Sequence, residues 1–167
     1  MKQTFRNFTI GYIILLGSLL GAGLYAGVVV APTIFHSELY LGKELLSQYQ
    51  EGQLMSVNFY KLGIFVDFGI LSIFLYEGYK YKMGERDTIT LVATFLALAT
   101  GLMFAHYYIP DIVMMQHAGE AMTKTTEFIN THKGSEINFK IFALAIFVLL
   151  IRNLQKGLKS VQKAPSL

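Results

Sequence analysis

The sequence predicts an all-α membrane protein, a bundle of four transmembrane helices. Three observations carry this: four apolar runs of spanning length, an apolar excess over the whole chain, and basic residues gathered at one end of those runs. The 167 residues are 53% hydrophobic before 15 glycines are counted, against about 45–50% with glycine included in ordinary soluble domains. Only 15% are charged, and intrinsic disorder, which needs low hydrophobicity and dense charge, is excluded as well. The chain has no cysteine, which excludes a disulfide scaffold, an iron–sulfur cluster and any thiolate metal site. A net charge of +3 points to nucleic acid only when it clusters on a folded soluble face. Its distribution here is a topology signal, and no nucleic-acid partner is expected.

The whole chain, 1–167, is read as a single integral membrane domain. No Lys, Arg, Asp or Glu lies between Arg6 and Glu38, a run longer than the ~20 residues that cross a ~30 Å hydrocarbon core. Span one is placed at about 8–31. Lys2 and Arg6 ahead of it resemble the start of a signal peptide, but the run exceeds the ~7–15 residues typical of one. Its best-placed small residue, Ala31, also precedes Pro32, so the span is expected to be retained. Span two, about 59–79, encloses Asp67, and span three, about 89–109, encloses His106. Span four, about 138–154, is free of charge only from Ile141 to Ile151. Lys140 and Arg152, snorkelling to opposite interfaces, make it long enough.

With four spans, the amino terminus, the second loop and the tail share one side. That side carries nine basic residues against three acidic ones, and the other side five against eight. The excess of Lys and Arg in short loops and tails predicts that both termini are cytoplasmic, in a bacterial inner membrane.

Span one ends Gly23-Leu24-Tyr25-Ala26-Gly27 with Pro32 beyond, and span three ends Gly101-Leu102-Met103-Phe104-Ala105 with Pro110 beyond. Asn58-Phe59-Tyr60-Lys61 precedes span two much as Asn138-Phe139-Lys140 precedes span four. An offset held near 78 to 80 residues points to two parallel helical hairpins related by internal duplication, about an axis along the membrane normal. Both outer loops carry helical apolar spacing, Leu41, Leu45, Leu46 and Tyr49 in one and Ile112, Met115, Met122 and Ile129 in the other. They are expected to form amphipathic helices lying on the bundle's outer end. On the inner side, Arg152, Lys156, Lys159 and Lys163 form a basic stripe suited to anionic lipid headgroups.

Residues able to carry chemistry are few. Asp67 is the one formally charged residue deep in a span, and a carboxylate there costs several kcal/mol unless it is paired or protonated. Lys140, Tyr25 and Thr100 are its expected partners. Gly17 and Gly21, and then Gly23 and Gly27, repeat at four-residue spacing on two faces of span one, which lets that helix approach neighbours closely, inside the monomer or in an oligomer. His36, His106, Met114 and His117 all lie on the outer half, and imidazole with thioether suits copper, especially Cu(I). No hydrolase elbow, phosphate loop, paired catalytic carboxylates or dinucleotide fingerprint is present, and no catalytic residue is assigned.

Leu19-Leu20-Gly21-Ala22-Gly23, then Val30-Ala31-Pro32-Thr33-Ile34-Phe35, an outer loop, and then Gly52 and Asn58 to Lys61 resemble the transmembrane protein 205-like four-span domain family. The likeness is best over residues 15–80. It implies a polytopic bundle without an assigned reaction, and the human namesake's association with tolerance of metal-based drugs adds to the expectation of soft-metal handling. A second likeness, to the haem-binding protoporphyrinogen oxidase family, rests on the glycine-rich first span ending in a proline, although this span holds no histidine. The leading expectation is a non-enzymatic inner-membrane protein of stress or copper tolerance. The alternative is a structural or assembly factor that binds a membrane partner or a second copy through glycine-mediated helix packing. Behind both stands a haem-dependent membrane enzyme.

Overall fold

A computed structural model describes residues 3–162. Helix α1 (Gln3–Tyr25) runs through a π-helical turn, Ala26–Val30, into α2 (Ala31–Phe35). A short helix α3 (Glu38–Leu41) stops at Gly42, whose φ of +68° lies in the left-handed region that glycine enters freely. Helix α4 (Gln48–Lys82) has 35 residues and is about 52 Å long. It starts at a capping box, in which the Gln50 N–H donates to Ser47 Oγ at 3.3 Å and the Ser47 N–H donates to Gln50 Oε1 at 2.9 Å. Helix α5 (Thr88–Met103) passes through a second π-helical turn, Phe104–Tyr108, into α6 (Ile109–His117). After α7 (Glu120–Thr123) comes α8 (Thr126–Gln162), whose Phe128 N–H donates to Thr125 Oγ1 at 3.3 Å.

Four stretches are long and apolar enough to cross a membrane: Phe5–Phe35, Gln48–Lys82, Thr88–His117 and Thr126–Lys159. The chain is an all-α, multi-pass membrane bundle. Its helices overrun the spans read from composition, most of all where α4 begins at Gln48 rather than 59 and α8 at Thr126 rather than 138. The amphipathic outer segments are therefore not separate helices lying on the bundle. Apart from α3 and α7 they continue the spanning helices outward, because no glycine or proline stands between the caps at Ser47 and Thr125 and the apolar runs in a position that breaks the helix.

Both π turns sit next to a proline. Ala31 N–H donates to Ala26 O and Ile109 N–H to Phe104 O, each five residues back, and Pro32 and Pro110 follow at once. A proline inside a helix lacks one N–H and crowds the carbonyl four residues back, and a π turn just upstream widens the helix where that strain falls.

The four long helices form a closed ring in which α1 packs on α4, α4 on α5, α5 on α8 and α8 back on α1. Leu16, Leu19, Val66, Ile73, Ile146 and Leu149 fill its centre, each at most 2% exposed. Toward the loop end, Phe104, Phe139 and Phe142 continue the core, with Phe104 and Phe139 ring centres 4.6 Å apart. The outside is as apolar as the inside: Phe8, Ile14, Val28, Phe74, Phe95 and Leu144 are all exposed, as hydrocarbon surroundings permit.

Candidate functional site

Asp67 lies near the middle of α4, on the outer surface of the ring. Its partner is not Lys140, Tyr25 or Thr100. His106 Nε2 reaches Asp67 Oδ1 at 2.9 Å, and 61% of the histidine side chain and 43% of the aspartate side chain remain exposed. Lys140 instead pairs with Glu136, the Thr100 hydroxyl donates to Leu96 O, and Tyr25 points outward. The second π turn supplies the difference, since it inserts an extra residue into the helical register and carries His106 onto the α4 side of α5. From Asp67 to Lys80 along α4 is about 20 Å, which places the pair within hydrocarbon depth of the charged inner end. A polar pair facing lipid at that depth is expensive and marks a functional candidate.

A second polar assembly ties the termini end together, and composition gave no hint of it. Glu77, Lys80 and Asn153 are buried at 5%, 5% and 2%. Lys80 Nζ donates to Glu77 Oε2 at 3.1 Å and to Asn153 Oδ1 at 2.9 Å, while Asn153 Nδ2 donates to Glu77 Oε1 at 2.8 Å. Each charge thus has both an opposite charge and an amide, which offsets the several kcal/mol needed to bury it. The Tyr12 and Tyr76 rings stack beside this group at 4.0 Å, and the Tyr76 hydroxyl donates to Thr9 Oγ1 at 2.8 Å.

Next to it, Asp87 in the short inner turn accepts from Arg152 Nη2 at 2.7 Å, Arg152 Nε at 3.0 Å and Thr90 Oγ1 at 2.7 Å. Lys156 contacts Glu85 and lies 3.4 Å from Asp87. Arg152 and Lys156, read from the sequence as headgroup-facing, reach Glu85 and Asp87 in the turn between α4 and α5. Lys159 is exposed, and Lys163 lies outside the described residues.

The glycines divide sharply. A Cβ on Gly23 would stand 2.8 Å from Phe139 Cζ, so this position packs inside the chain. At Gly17, Gly21 and Gly27 an added Cβ meets nothing within 4 Å. The close approaches inside the bundle are made instead by Gly69 against Leu19 and Gly101 against Ile70 and Phe142. Spacing did not single these out, since Gly101 is the one glycine of span three, and Gly69 stands six and nine residues from Gly63 and Gly78 in span two, off the four-residue repeat.

The soft-ligand candidates are spread over the loop end. His36 Nδ1 lies 3.7 Å from Glu38, Met114 is 63% exposed, and His117 is exposed. Among the described residues no three His, Asp or Glu side chains gather into a group that could hold a metal ion.

No curated protein and no solved structure matches the chain. Residues 14–121, which include both Asp67 and His106, match a family described as a domain of unknown function, and the chain belongs to that family, DUF4149.

Proposed function

We propose that the chain is a bacterial inner-membrane protein with cytoplasmic termini, and that it works as an assembly factor, holding a membrane partner protein against the outward face of α1. The observation that carries this reading is Gly17 and Gly21, four residues apart on one helix face, with nothing in the chain against them. Glycine in a helix costs about 1 kcal/mol relative to alanine, and these two gain no packing inside the monomer in return. Against a partner helix they let two backbones come close, the contact by which helices associate in lipid.

The orientation is supported by the excess of basic residues at the termini end. Internal duplication is supported by two π turns 78 residues apart, each leading to a proline, and by a ring of contacts compatible with a twofold along the bundle axis. A bundle without an assigned reaction also agrees with the likeness to transmembrane protein 205-like proteins.

A photo-reactive phenylalanine analogue replacing Ser18 on α1 tests the reading in intact cells. It should capture one discrete membrane protein or a second copy, and the same analogue replacing Phe95 on α5 should not. Lipid adducts alone at Ser18 would contradict it.

Soft-metal tolerance is a second reading. It is favoured by Met55 and Met115, both buried toward the loop end where α4 meets α6, since a sheltered thioether suits Cu(I). Its expected signature is stoichiometric copper in protein purified without a metal-chelating resin.

A further inference from the structure

We infer that Asp67 and His106 form the centre of a twofold interface between two copies of this chain, along the lipid-facing seam of α4 and α5. The inference rests on reading the protein as an association module, but it uses a different face from that of α1. With the His106 Nε2–H donating to Asp67 Oδ1, neither His106 Nδ1 nor Asp67 Oδ2 has a partner among the described residues. Both atoms belong to side chains that open toward the bilayer, where no water satisfies them. Something polar must cover them.

Neither of two grooves on the bundle surface takes in the pair. The apolar groove between α5 and α8 is lined by Val92, Leu96 and Leu144 among others, and a second groove runs from Phe74 to Lys82. A small ligand prefers concave surroundings, whereas a flat helical seam suits another helical seam. Around the pair, Ile64 and Phe68 of α4 and Met103 and Tyr107 beside His106 are 61%, 58%, 44% and 55% exposed. That is an apolar rim able to shut lipid and water away from the centre.

The chemistry of the pair selects a second copy over other occupants. An imidazolium donates at both nitrogens and a carboxylate accepts at both oxygens, and each has used one of its two atoms within the chain. A twofold axis through the pair sets His106 Nδ1 of each copy against Asp67 Oδ2 of the other. The result is a closed ring of four charge-assisted hydrogen bonds with no net charge. An isologous interface needs a patch complementary to itself, and an adjacent donor and acceptor provide one.

The native chain has no cysteine, so single-cysteine variants report contacts cleanly. Phe68→Cys, Met103→Cys and, on α1, Ser18→Cys are each oxidised in membrane vesicles, in the parent and with Asp67→Ala or His106→Ala added. Covalent dimers are expected at Phe68→Cys or Met103→Cys, reduced about tenfold by either alanine change. The exchange Asp67→His with His106→Asp restores donor and acceptor and should restore the dimer. Circular dichroism on each variant shows whether the helices survive, and only folded variants are scored. The inference is overturned by dimers indifferent to the alanine changes, by failure of the exchange to rescue, by a different protein captured at these positions, or by no dimer at all. Dimers at Ser18→Cys alone overturn it and leave the α1 reading standing.

Discussion

Asp87 stands where the inner turn enters α5, and its environment pulls its titration in opposite directions. Desolvation pushes its carboxyl up, and hydrogen bonds from Thr90, Arg152 and Lys156 more than offset this, holding it well below the usual carboxylate range. A carboxyl whose folded value is depressed adds stability that is fully present above its unfolded value of about 3.9. That stability is lost as pH falls toward the folded value. Asp87→Asn should therefore lower the unfolding temperature in detergent at pH 7, and should flatten its decline below about pH 4. Melts followed by circular dichroism check this; curves for parent and variant that run parallel through the acid range would show that the clamp on α8 contributes no pH-dependent stability.

At the scale of the helices, close packing depends on glycines inside the ring. A Cβ at Gly101 would lie 2.9 Å from Ile70 and from Phe142, closed in from two sides. Gly101→Ala should destabilise the bundle by about 1–3 kcal/mol, whereas Gly17→Ala, open to lipid, should leave the monomer unchanged or up to about 1 kcal/mol more stable. Thermal unfolding of the two variants in the same detergent separates them. The spans themselves were legible in the sequence, because length and the scarcity of charge are properties of single segments. Their outer ends were not, although Ser47 and Gln50 stand at capping-box spacing. The partner of Asp67 was hidden for a different reason. Helical faces are read at about 100° per residue, and the π turn at Phe104–Tyr108 breaks that count just before His106 takes its place. Glu77 and Lys80 were visible as charges at a span's end, but nothing local shows that they turn inward to Asn153.

For the molecule as a whole, the packed ring leaves function to its outer surface. The centre is filled by side chains such as Leu16, Val66, Ile73 and Ile146, and Asp67 and His106, bonded to each other through one atom apiece, sit on the outside of the ring. One side of that surface is α1 with Gly17 and Gly21, another the seam with Asp67 and His106. Native mass spectrometry of the protein released from membranes in a mild detergent reads bound protein, metal and haem in a single spectrum. A particle heavier than the 18.8 kDa chain by at least one further polypeptide, either a second copy or a membrane partner, is the expected result. A lone 18.8 kDa chain, whether bare or carrying copper or haem, would contradict a role exercised through association in the membrane.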